Sequence, residues 1–429
     1  LKLGISRCCC SICFAYRSDI MASRVSALGR RLPSSISCRR NFAAAAGLKP
    51  TLIHHLHEEE GGQMVDFAGY SMPVQYKKGD HALSIIDSTK WTRENASLFD
   101  VSHMCSVRWL GKDAYDFVEK VTTADVHGLK VNTGTLSVIP NAAGGVIDDT
   151  MVNKIVSKEH GEHIYQVINA GCAPKDLEHF EAELGKFGGD VKMEVLWDTR
   201  GLYALQGPKA AEVMQRLCST DLSKFAFGES QFLTLDGAEC LVSRCGYTGE
   251  DGFELFVPGD AAEKVWKKIK GEPEVRLAAL GARDSLRLEA GLCLYGHDLD
   301  EDTTPIEAGL TWVVGKARRS GARANFIGAE KILAQINDKS LVKKLRAGLR
   351  PSAGPPAREG ATIETPDGKV VGTVTSGSMS PCTRKNIAMG YIEKPFNKKG
   401  TELNVVVRNK KYPAVTCPMP FVPTKYYKP

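Results

Sequence analysis

Apolar positions follow two different periods between about residue 50 and residue 335. Stretches with apolar residues three and four apart predict helices, because this spacing places those residues on one helical face. Stretches that are β-branched or strictly alternating predict strands. The predicted helices span residues 112–121, 173–187, 208–217, 260–269, 277–291 and 328–336. The predicted strands span residues 134–139, 146–152, 164–168, 232–235 and 253–257.

The pattern changes near residue 340. From Leu341 onward, short strand-like stretches alternate with turns, and no helical period is present. The turns contain Pro, Gly, Asp or Ser and lie at residues 351–356, 366–368, 376–381 and 398–400. Regularly spaced short strands predict a small all-β barrel or sandwich. We therefore predict an α+β fold, with two α+β subdomains in residues 47–335 and a C-terminal all-β barrel in residues 336–429.

The predicted helix 277–291 carries two arginines on a partly apolar face. At about 100° per residue, Arg283 and Arg287 lie one turn apart, within the arc that holds Leu280. A guanidinium on such a face needs a carboxylate or an anionic ligand, because an unpaired buried charge is costly. Spacing alone favours a structural salt bridge, with Asp284 as a candidate partner.

The formal net charge of +6 is concentrated at the amino-terminal end. Residues 1–49 hold nine of the 56 Lys and Arg residues and one of the 50 Asp and Glu residues, which leaves 47 basic and 49 acidic residues from Pro50 onward. The remaining chain is near neutral, so nucleic-acid binding has no electrostatic support. No run of about 18 or more apolar residues occurs, so no membrane-spanning helix is predicted.

The amino-terminal segment has the composition of a targeting sequence. Residues 21–49 are rich in Arg, Ser and Ala and contain no acidic residue. This composition is typical of an organellar transit peptide, with a disordered basic tail as the alternative. Residues 1–20 begin with Leu and contain four cysteines. We interpret them as sequence upstream of a start at Met21, and we exclude residues 1–46 from the fold.

Cysteine and histidine spacing predicts no metal site. Adjacent cysteines, as in residues 8–13, suit tetrahedral ligation poorly. The histidines of residues 54–57 have no distant ligand cluster to complete a site. The cysteines of the folded part form no CxxC pair, so we expect free thiols in packed positions. They are Cys105, Cys172, Cys218, Cys240, Cys245, Cys293, Cys382 and Cys417.

Two consecutive carboxylates follow the Gly-Gly turn at residues 144–145. On a strand, Asp148 and Asp149 point to opposite faces, so we expect that they cannot both enter one pocket. Asp149 lies between Ile147 and Met151 on its face. An acid with apolar neighbours is the better candidate for a perturbed, functional carboxylate. A strand-end aspartate that caps the turn is the alternative.

Three other motifs lie near turns. Glycines at 246, 249 and 252 predict tight backbone turns that can approach a ligand, and Glu254 follows them on a predicted strand. An exposed strand position is the alternative for Glu254. Residues 304–307, Thr-Pro-Ile-Glu, form a capping box that predicts the start of a second helix. Tyr426 and Tyr427 lie near the carboxyl end, where aromatic rings suggest docking onto another domain or stacking on a flat ligand.

Taken together, these motifs resemble the aminomethyltransferases, the T-proteins of the mitochondrial glycine cleavage system. The resemblance runs in order from about Leu48 to the carboxyl end. The motifs that carry it are FDVSHM (99–104), GGVIDD (144–149), NAGC (169–172), ALQGP (204–208), RCGYTGEDGFE (244–254), GARDSLRLEAGLCLYGHD (281–298), TPIEAGLTW (304–312), VTSG (374–377), NIAMGYI (386–392) and MPFVPTKYY (419–427).

The resemblance implies a fold, a reaction and a location. The family fold has three domains in a cloverleaf-like arrangement, with two α+β subdomains around a central folate site and a C-terminal β-barrel. The family takes the aminomethyl group from the dihydrolipoyl arm of H-protein and passes its carbon to tetrahydrofolate. The products are 5,10-methylenetetrahydrofolate, ammonia and dihydrolipoyl H-protein. The implied partners are lipoylated H-protein and the other glycine cleavage proteins, in the mitochondrial matrix, with no nucleic acid, membrane or metal involved.

The resemblance also implies roles for individual residues. Asp149 matches the catalytic carboxylate, which stabilises the electrophilic carbon and manages a proton on the folate nitrogens. Glu254 matches the acidic anchor of the pterin, since a carboxylate accepts two hydrogen bonds from an aminopyrimidinone edge. Arg283 and Tyr426 match folate-binding positions, with Arg283 on the anionic tail. Tyr165 and Met104 match positions that pack against the ring.

Other protein classes remain as alternatives. One is a folate-binding assembly factor for iron–sulfur proteins, built on the same fold. Those proteins resemble a signature with Cys directly before the Tyr of the Gly-rich turn, whereas here Gly246 precedes Tyr247. Another is a folate-linked demethylase fused to a flavin-binding half, and this chain has no dinucleotide-binding segment. A binding module without turnover is the third.

Overall fold

A computed structural model of the chain describes residues 47–429. The upstream residues and transit peptide predicted for residues 1–46 lie outside the described residues. None of the helices in the described range is long and apolar enough to cross a membrane. The helices are α1 (His54–Glu59), α2 (Ile85–Glu94), α3 (Ala114–Val121), α4 (Ala173–Phe187), α5 (Ala210–Leu217), α6 (Ala262–Lys270), α7 (Leu280–Glu289) and α8 (Ala329–Asn337).

The strands of the described range form a hairpin, two open sheets and a closed barrel. In chain order they are β1 (Gly62–Phe67), β2 (Tyr70–Tyr76), β3 (Ala96–Asp100), β4 (Cys105–Leu110), β5 (Thr133–Pro140), β6 (Val146–Ser157), β7 (Gly161–Ile168), β8 (Lys192–Val195), β9 (Arg200–Gln206), β10 (Ser230–Leu235), β11 (Ala238–Ser243), β12 (Gly252–Pro258), β13 (Val275–Leu277), β14 (Lys344–Pro351), β15 (Thr362–Glu364), β16 (Val370–Met379), β17 (Asn386–Glu393), β18 (Glu402–Val407) and β19 (Lys410–Cys417). One open sheet has the order β10-β11-β12-β9-β3-β13, and the other has the order β5-β6-β7-β4-β8.

Each open sheet buries one face under its own helices. The six-stranded sheet packs against α5 and α6, with Val213 and Trp266 in a fully buried core. The five-stranded sheet packs against α3 and α4, with Phe117 and Phe180 in a second core. Because strand side chains alternate between faces, each sheet also has an opposite face to cover. Residues of both opposite faces meet in a third apolar cluster, which we call the central cluster and which also includes α7.

Strands β14 to β19 close into a barrel in the order β14-β17-β16-β15-β18-β19. Its core contains fully buried aliphatic side chains such as Leu349. Two buried carboxylates join the barrel to the rest of the chain. Ser380 Oγ donates to Glu289 Oε1 at 2.6 Å, and Ser376 Oγ donates to Asp298 Oδ2 at 2.9 Å. The sequence-based prediction of an α+β fold with a C-terminal β-barrel is therefore confirmed.

The helix predicted to start at residues 304–307 does not form, although its capping box does. Thr304 N donates to Glu307 Oε2 at 3.0 Å, and Glu307 N donates to Thr304 Oγ1 at 3.2 Å. The turn stops at once because Gly309 has φ +74°. Leu310 N then donates to Pro305 O at 2.8 Å, which is the closing bond of a Schellman cap;. The chain therefore makes one turn capped at both ends, and the prediction of a second helix was wrong.

The Gly-Gly turn before β6 depends on close backbone packing. Gly144 has φ +81°, a conformation that favours glycine;. A Cβ on Gly145 would overlap the carbonyl oxygen of Glu301, which also accepts a hydrogen bond from Asn141 Nδ2 at 2.8 Å. Val146 N donates to the adjacent Asp300 O at 3.0 Å. The turn and the residue 300–301 loop therefore fit together only when residue 145 lacks a side chain.

We predict that Gly145→Ala lowers the free energy of unfolding by about 1–3 kcal/mol, because the new methyl group must push a fixed backbone carbonyl away. Denaturant unfolding measures this loss. Gly185→Ala is the matched control, since Gly185 lies in α4 and a methyl group added there would have no heavy atom of a neighbouring element within 4 Å. That control should raise stability by about 0.5–1 kcal/mol through helix propensity. Equal stability of the two variants would contradict the packing argument.

Candidate active site

The central cluster carries two of the predicted site residues. Tyr165 is 4% exposed and packs against Phe256, with 4.6 Å between ring centroids. The Tyr165 hydroxyl and Ser106 Oγ share a hydrogen bond of 2.7 Å. Met104 packs against the same cluster from the turn between β3 and β4. Tyr165 therefore presents an apolar ring held at a fixed angle between the two sheets.

Glu254 belongs to the face of β12 that looks toward this cluster. Its neighbours Phe253 and Leu255 point into the helix-covered core of the six-stranded sheet, so Glu254 shares the opposite face with Phe256;. It lines a small cavity together with Tyr165. Burial raises the pKa of the Glu254 carboxyl, and nearby positive charge opposes part of this effect. Among the described residues it forms no ion pair, so its carboxylate can take donors from a ligand.

The two arginines of α7 have different environments. Arg287 is 4% exposed and forms ion pairs with Asp298 at 2.7 Å and Asp284 at 2.8 Å. Arg283 forms no ion pair with any described residue within 4.0 Å, and its guanidinium lies 4.9 Å from the centre of the Tyr247 ring. Burial lowers the pKa of Arg283, which nearby Glu254 partly counteracts. The salt bridge that spacing favoured therefore belongs to Arg287, and Arg283 can receive an anion.

Asp148 and Asp149 occupy opposite faces of β6, and one amide bridges them. Asn169 Nδ2 donates to Asp148 Oδ1 at 2.8 Å and to Asp149 Oδ1 at 3.1 Å. Burial and the neighbouring Asp148 carboxylate raise the pKa of Asp149 to about 7. On its own face, Asp149 is close enough to Tyr247 and Cys293 to influence both electrostatically. A carboxyl group with this pKa can accept or release a proton near neutral pH.

The carboxyl-terminal segment returns to the glycine-rich turn that precedes β12. Lys425 N donates to Gly249 O at 2.8 Å, and Phe227 N donates to Tyr427 O at 3.1 Å. The Tyr426 ring packs on Phe227 with 4.3 Å between centroids. Burial raises the pKa of the Tyr426 hydroxyl. This end of the chain is therefore held in place, and the aromatic docking expected from the sequence is present.

A buried ion-pair network, which we call the Arg93 network, supports this region. Arg93 on α2 pairs with Glu250 and with Glu289, both at 3.0 Å, and both carboxylate side chains are 0% exposed. Arg93 Nη1 also donates to Thr248 O at 2.6 Å. Lys425 adds a further ion pair to Glu250 at 3.5 Å. The network fixes the glycine-rich turn between α2, α7 and the carboxyl-terminal segment.

Tyr247 lies close to two of the predicted site residues, Arg283 on α7 and Asp149 on β6. It lies under Arg283, it is electrostatically coupled to Asp149, and its hydroxyl donates to Cys293 O. Sequence reasoning assigned no role to Tyr247, Asn169 or Arg93. The first two lie within the family-like motifs, which could have flagged them. Arg93 had no local signal, because its two carboxylate partners are 157 and 196 residues away.

Two models of known protein domains match consecutive regions of the chain. A model of the GCVT N-terminal domain matches residues 53–318, and a model of the glycine cleavage T-protein C-terminal barrel domain matches residues 344–423. The chain therefore has the two parts of a glycine cleavage T-protein in order. The crystal structure of glycine cleavage system aminomethyltransferase T from Bartonella henselae is similar, with a TM-score of 0.80 and 35% identity. That similarity covers 89% of this chain and all of the bacterial one.

Curated relatives agree with this architecture. The mitochondrial aminomethyltransferase of Solanum tuberosum is 52% identical over 396 residues, which cover 91% of this chain and 94% of that protein. The mitochondrial aminomethyltransferase of Gallus gallus is 46% identical over 398 residues, which cover 92% of this chain and 97% of that protein. The chain belongs to the aminomethyltransferase family, the T-proteins of the glycine cleavage system, and it is a transferase. The alternative of an iron–sulfur assembly factor is not favoured.

Proposed function

We propose that this transferase moves the one-carbon unit of aminomethyl-dihydrolipoyl H-protein to tetrahydrofolate, its co-substrate. The products are 5,10-methylenetetrahydrofolate, ammonia and dihydrolipoyl H-protein. The observation that carries the proposal is the Asp149 carboxyl, which Asn169 holds by its amide and which has a pKa of about 7. A carboxylate fixed in this way suits a reaction in which positive charge develops on carbon and a proton leaves nitrogen.

Several features of the proposed site residues support the binding of a folate. Glu254, which forms no ion pair within residues 47–429, lines the same cavity as Tyr165, and its carboxylate suits the donor edge of a flat pterin;. Met104 adds apolar contact on the same cluster. Arg283, without an ion pair among the described residues, would meet the anionic glutamate tail. Tyr426 would complete the aromatic surface from the carboxyl-terminal segment.

Asp149 has two tasks in this reaction. In its ionised form it places negative charge beside the carbon that leaves sulfur, and it does so inside a buried site where electrostatic interactions are strong. The same carboxylate can accept the proton released when the folate nitrogen attacks. Asn169 keeps the Asp149 carboxylate at one angle throughout, because its amide is also anchored to Asp148.

The family supports a proposal for the partners and the location. We propose lipoylated H-protein as the donor of the aminomethyl group, together with the other glycine cleavage proteins as functional partners. The curated relatives are named mitochondrial. The acid-free, Arg- and Ser-rich composition of residues 21–49 is typical of a transit peptide;. We therefore place the protein in the mitochondrial matrix.

The proposed function is tested with purified protein, aminomethylated lipoyl H-protein and tetrahydrofolate. We expect folate-dependent release of ammonia, with methylenetetrahydrofolate formed in equal amount. Two controls omit tetrahydrofolate or replace H-protein by its unlipoylated form. Tight folate binding without ammonia release would support a binding module instead. The absence of both folate binding and ammonia release would reject the folate site itself.

Arg283→Met should weaken tetrahydrofolate binding by about 10- to 100-fold, because a charge-assisted contact contributes roughly 1.5–3 kcal/mol. The loss should be greater for polyglutamylated than for monoglutamylated folate. Calorimetric titration measures both dissociation constants. Arg276→Met is the matched control, since Arg276 lies on β13 with its guanidinium over Trp91. Unchanged affinity in Arg283→Met would remove Arg283 from the folate site.

A further inference from the structure

Asp176 is a buried acid that the proposed reaction does not use. It belongs to the first turn of α4 and is 0% exposed. Neither of its carboxyl oxygens accepts a hydrogen bond from a described donor. Such a group is costly when it is ionised, because a buried charge without a partner loses its hydration without compensation. The side chain therefore needs a different protonation state or a different partner.

The nearest partner of Asp176 is another carboxyl group. Its side chain lies within hydrogen-bonding reach of Asp148, which is also 0% exposed. Asp148 already accepts two bonds from Asn169, from the backbone N at 2.9 Å and from Nδ2 at 2.8 Å. Two adjacent carboxyl groups in a dry site cannot both be ionised, so they share one proton. Since Asp148 is the one that accepts from fixed donors, the proton belongs on Asp176.

No nearby cation offers an alternative among the described residues. Lys175 Nζ, next to Asp176 in the chain, donates to Tyr295 Oη at 2.7 Å and pairs with Glu301 at 2.9 Å. Burial, followed by the charge of Asp148, raises the pKa of Asp176. The other titratable groups that face these three aspartates from neighbouring elements are thiols and phenols, which are neutral near pH 7. They are Cys105 on β4, Cys172 before α4, Tyr247 in the glycine-rich turn and Cys293 after α7.

We propose that Asp176 is a neutral carboxylic acid that keeps its proton, donates a hydrogen bond through its O–H to the Asp148 carboxylate, and thereby acts as a positioning residue for Asp149. This hydrogen bond leaves Asp148 as the anion that holds the Asn169 amide, and the same amide also donates to Asp149. The pair carries one negative charge in total. Its consequence for catalysis rests on the proposed function, whereas its protonation state does not.

The consequence for Asp149 follows from charge alone. The single negative charge on Asp148 disfavours ionisation of Asp149 and so keeps that carboxyl near its midpoint at neutral pH. If Asp148 were neutral, Asp149 would lose its proton at lower pH. If Asp176 were also charged, Asp149 would hold its proton to higher pH. The titration midpoint of Asp149 therefore reports the number of negative charges on Asp148 and Asp176.

The experiment titrates the full-length protein by carbon NMR with ¹³C-labelled aspartate carboxyl groups, the Asp149 signal being assigned by its loss in Asp149→Asn. In Asp148→Asn the Asp149 midpoint should fall by about one pH unit. In Asp176→Asn it should stay in place, because a neutral amide replaces a neutral acid and still donates. In Asp176→Ala it should fall, because Asp148 then takes up the proton itself. A fall in Asp176→Asn as large as that in Asp148→Asn would overturn the proposal, since it would reveal a charge on Asp176.

Infrared spectroscopy gives a second readout that needs no activity and no alanine variant. The difference spectrum between the wild-type protein and Asp176→Asn at pH 8, above the Asp149 midpoint, should contain the carbonyl band of a protonated carboxylic acid. A difference spectrum without this band would also overturn the proposal. In the transfer assay, Asp176→Ala should lower kcat by about 10-fold and Asp176→Asn should restore most of it. Loss of rescue with normal spectra would reject the positioning role while leaving the protonation state intact.

Discussion

Asp149→Asn is expected to lower kcat of aminomethyl transfer by about 10²- to 10⁴-fold while the dissociation constant of tetrahydrofolate changes by less than about threefold. The amide keeps the shape of the side chain, so the pocket and its aromatic walls stay in place. What is lost is the negative charge beside the reacting carbon and the acceptor for the proton. Single-turnover assays with aminomethylated H-protein separate this chemical defect from binding.

The pH profile provides a sharper check of the same residue. The pKa of Asp149 is raised to about 7, so the ionised form dominates above that pH and is lost as pH falls through it. We therefore expect kcat/KM of the wild-type protein, which reports groups of the free enzyme, to fall on the acid side of about pH 7, and the Asp149→Asn variant to show no such limb. Asp148→Asn is the neighbouring comparison and should lose less activity. Greater damage from Asp148→Asn would show that the strand-face assignment is wrong.

Arg93→Met is expected to lower the free energy of unfolding by about 3–5 kcal/mol, because it leaves two carboxylates buried without their main cation. Glu250 and Glu289 both have side chains that are 0% exposed, and the remaining partner Lys425 reaches only Glu250, at 3.5 Å. Denaturant unfolding of the variant and of the wild-type protein measures the loss.

Arg216→Met is the matched control for this result. Arg216 also pairs with two carboxylates, Glu272 at 2.7 Å and Glu274 at 2.6 Å, but its side chain is 43% exposed. Exposed pairs contribute about 0–1 kcal/mol, so this variant should lose little stability. Similar losses in Arg93→Met and Arg216→Met would contradict the importance of burial. Adding Glu250→Gln and Glu289→Gln to Arg93→Met should recover part of the stability.

The sequence pattern predicted those elements whose start, period and end are all encoded in nearby residues. Helix α4 has the predicted bounds 173–187, because its apolar spacing is regular and Gly188, with φ +71°, ends it. The C-terminal region was predicted to consist of strands, although their individual bounds were not predicted, because short alternating runs between turns do not fit a helical period. The failure at residues 304–307 has an equally local cause. A start signal was present, but Gly309 stopped the helix after one turn.

The site shows the same division between local and distant information. Strand alternation separated Asp148 from Asp149, because that alternation is a property of the backbone itself. It could not show that Asn169, which follows the neighbouring strand β7, joins them. The roles of Arg283 and Arg287 could not be divided by spacing either. Their difference depends on Asp298 and on Tyr247, which reach the helix through the tertiary fold.

The attachment of the barrel through Glu289 and Asp298 constrains how this protein can be recombined with its relatives. Both carboxylates lie outside the barrel, whereas the hydroxyl groups that satisfy them, Ser380 and Ser376, lie within it. A chimera that exchanges the barrel thus replaces the two hydroxyl donors but keeps the two carboxylates that accept from them. Grafts that bring hydroxyl side chains to both positions will fold as one cooperative unit. Grafts with aliphatic residues there will deprive each buried acid of one donor and will separate into two unfolding transitions.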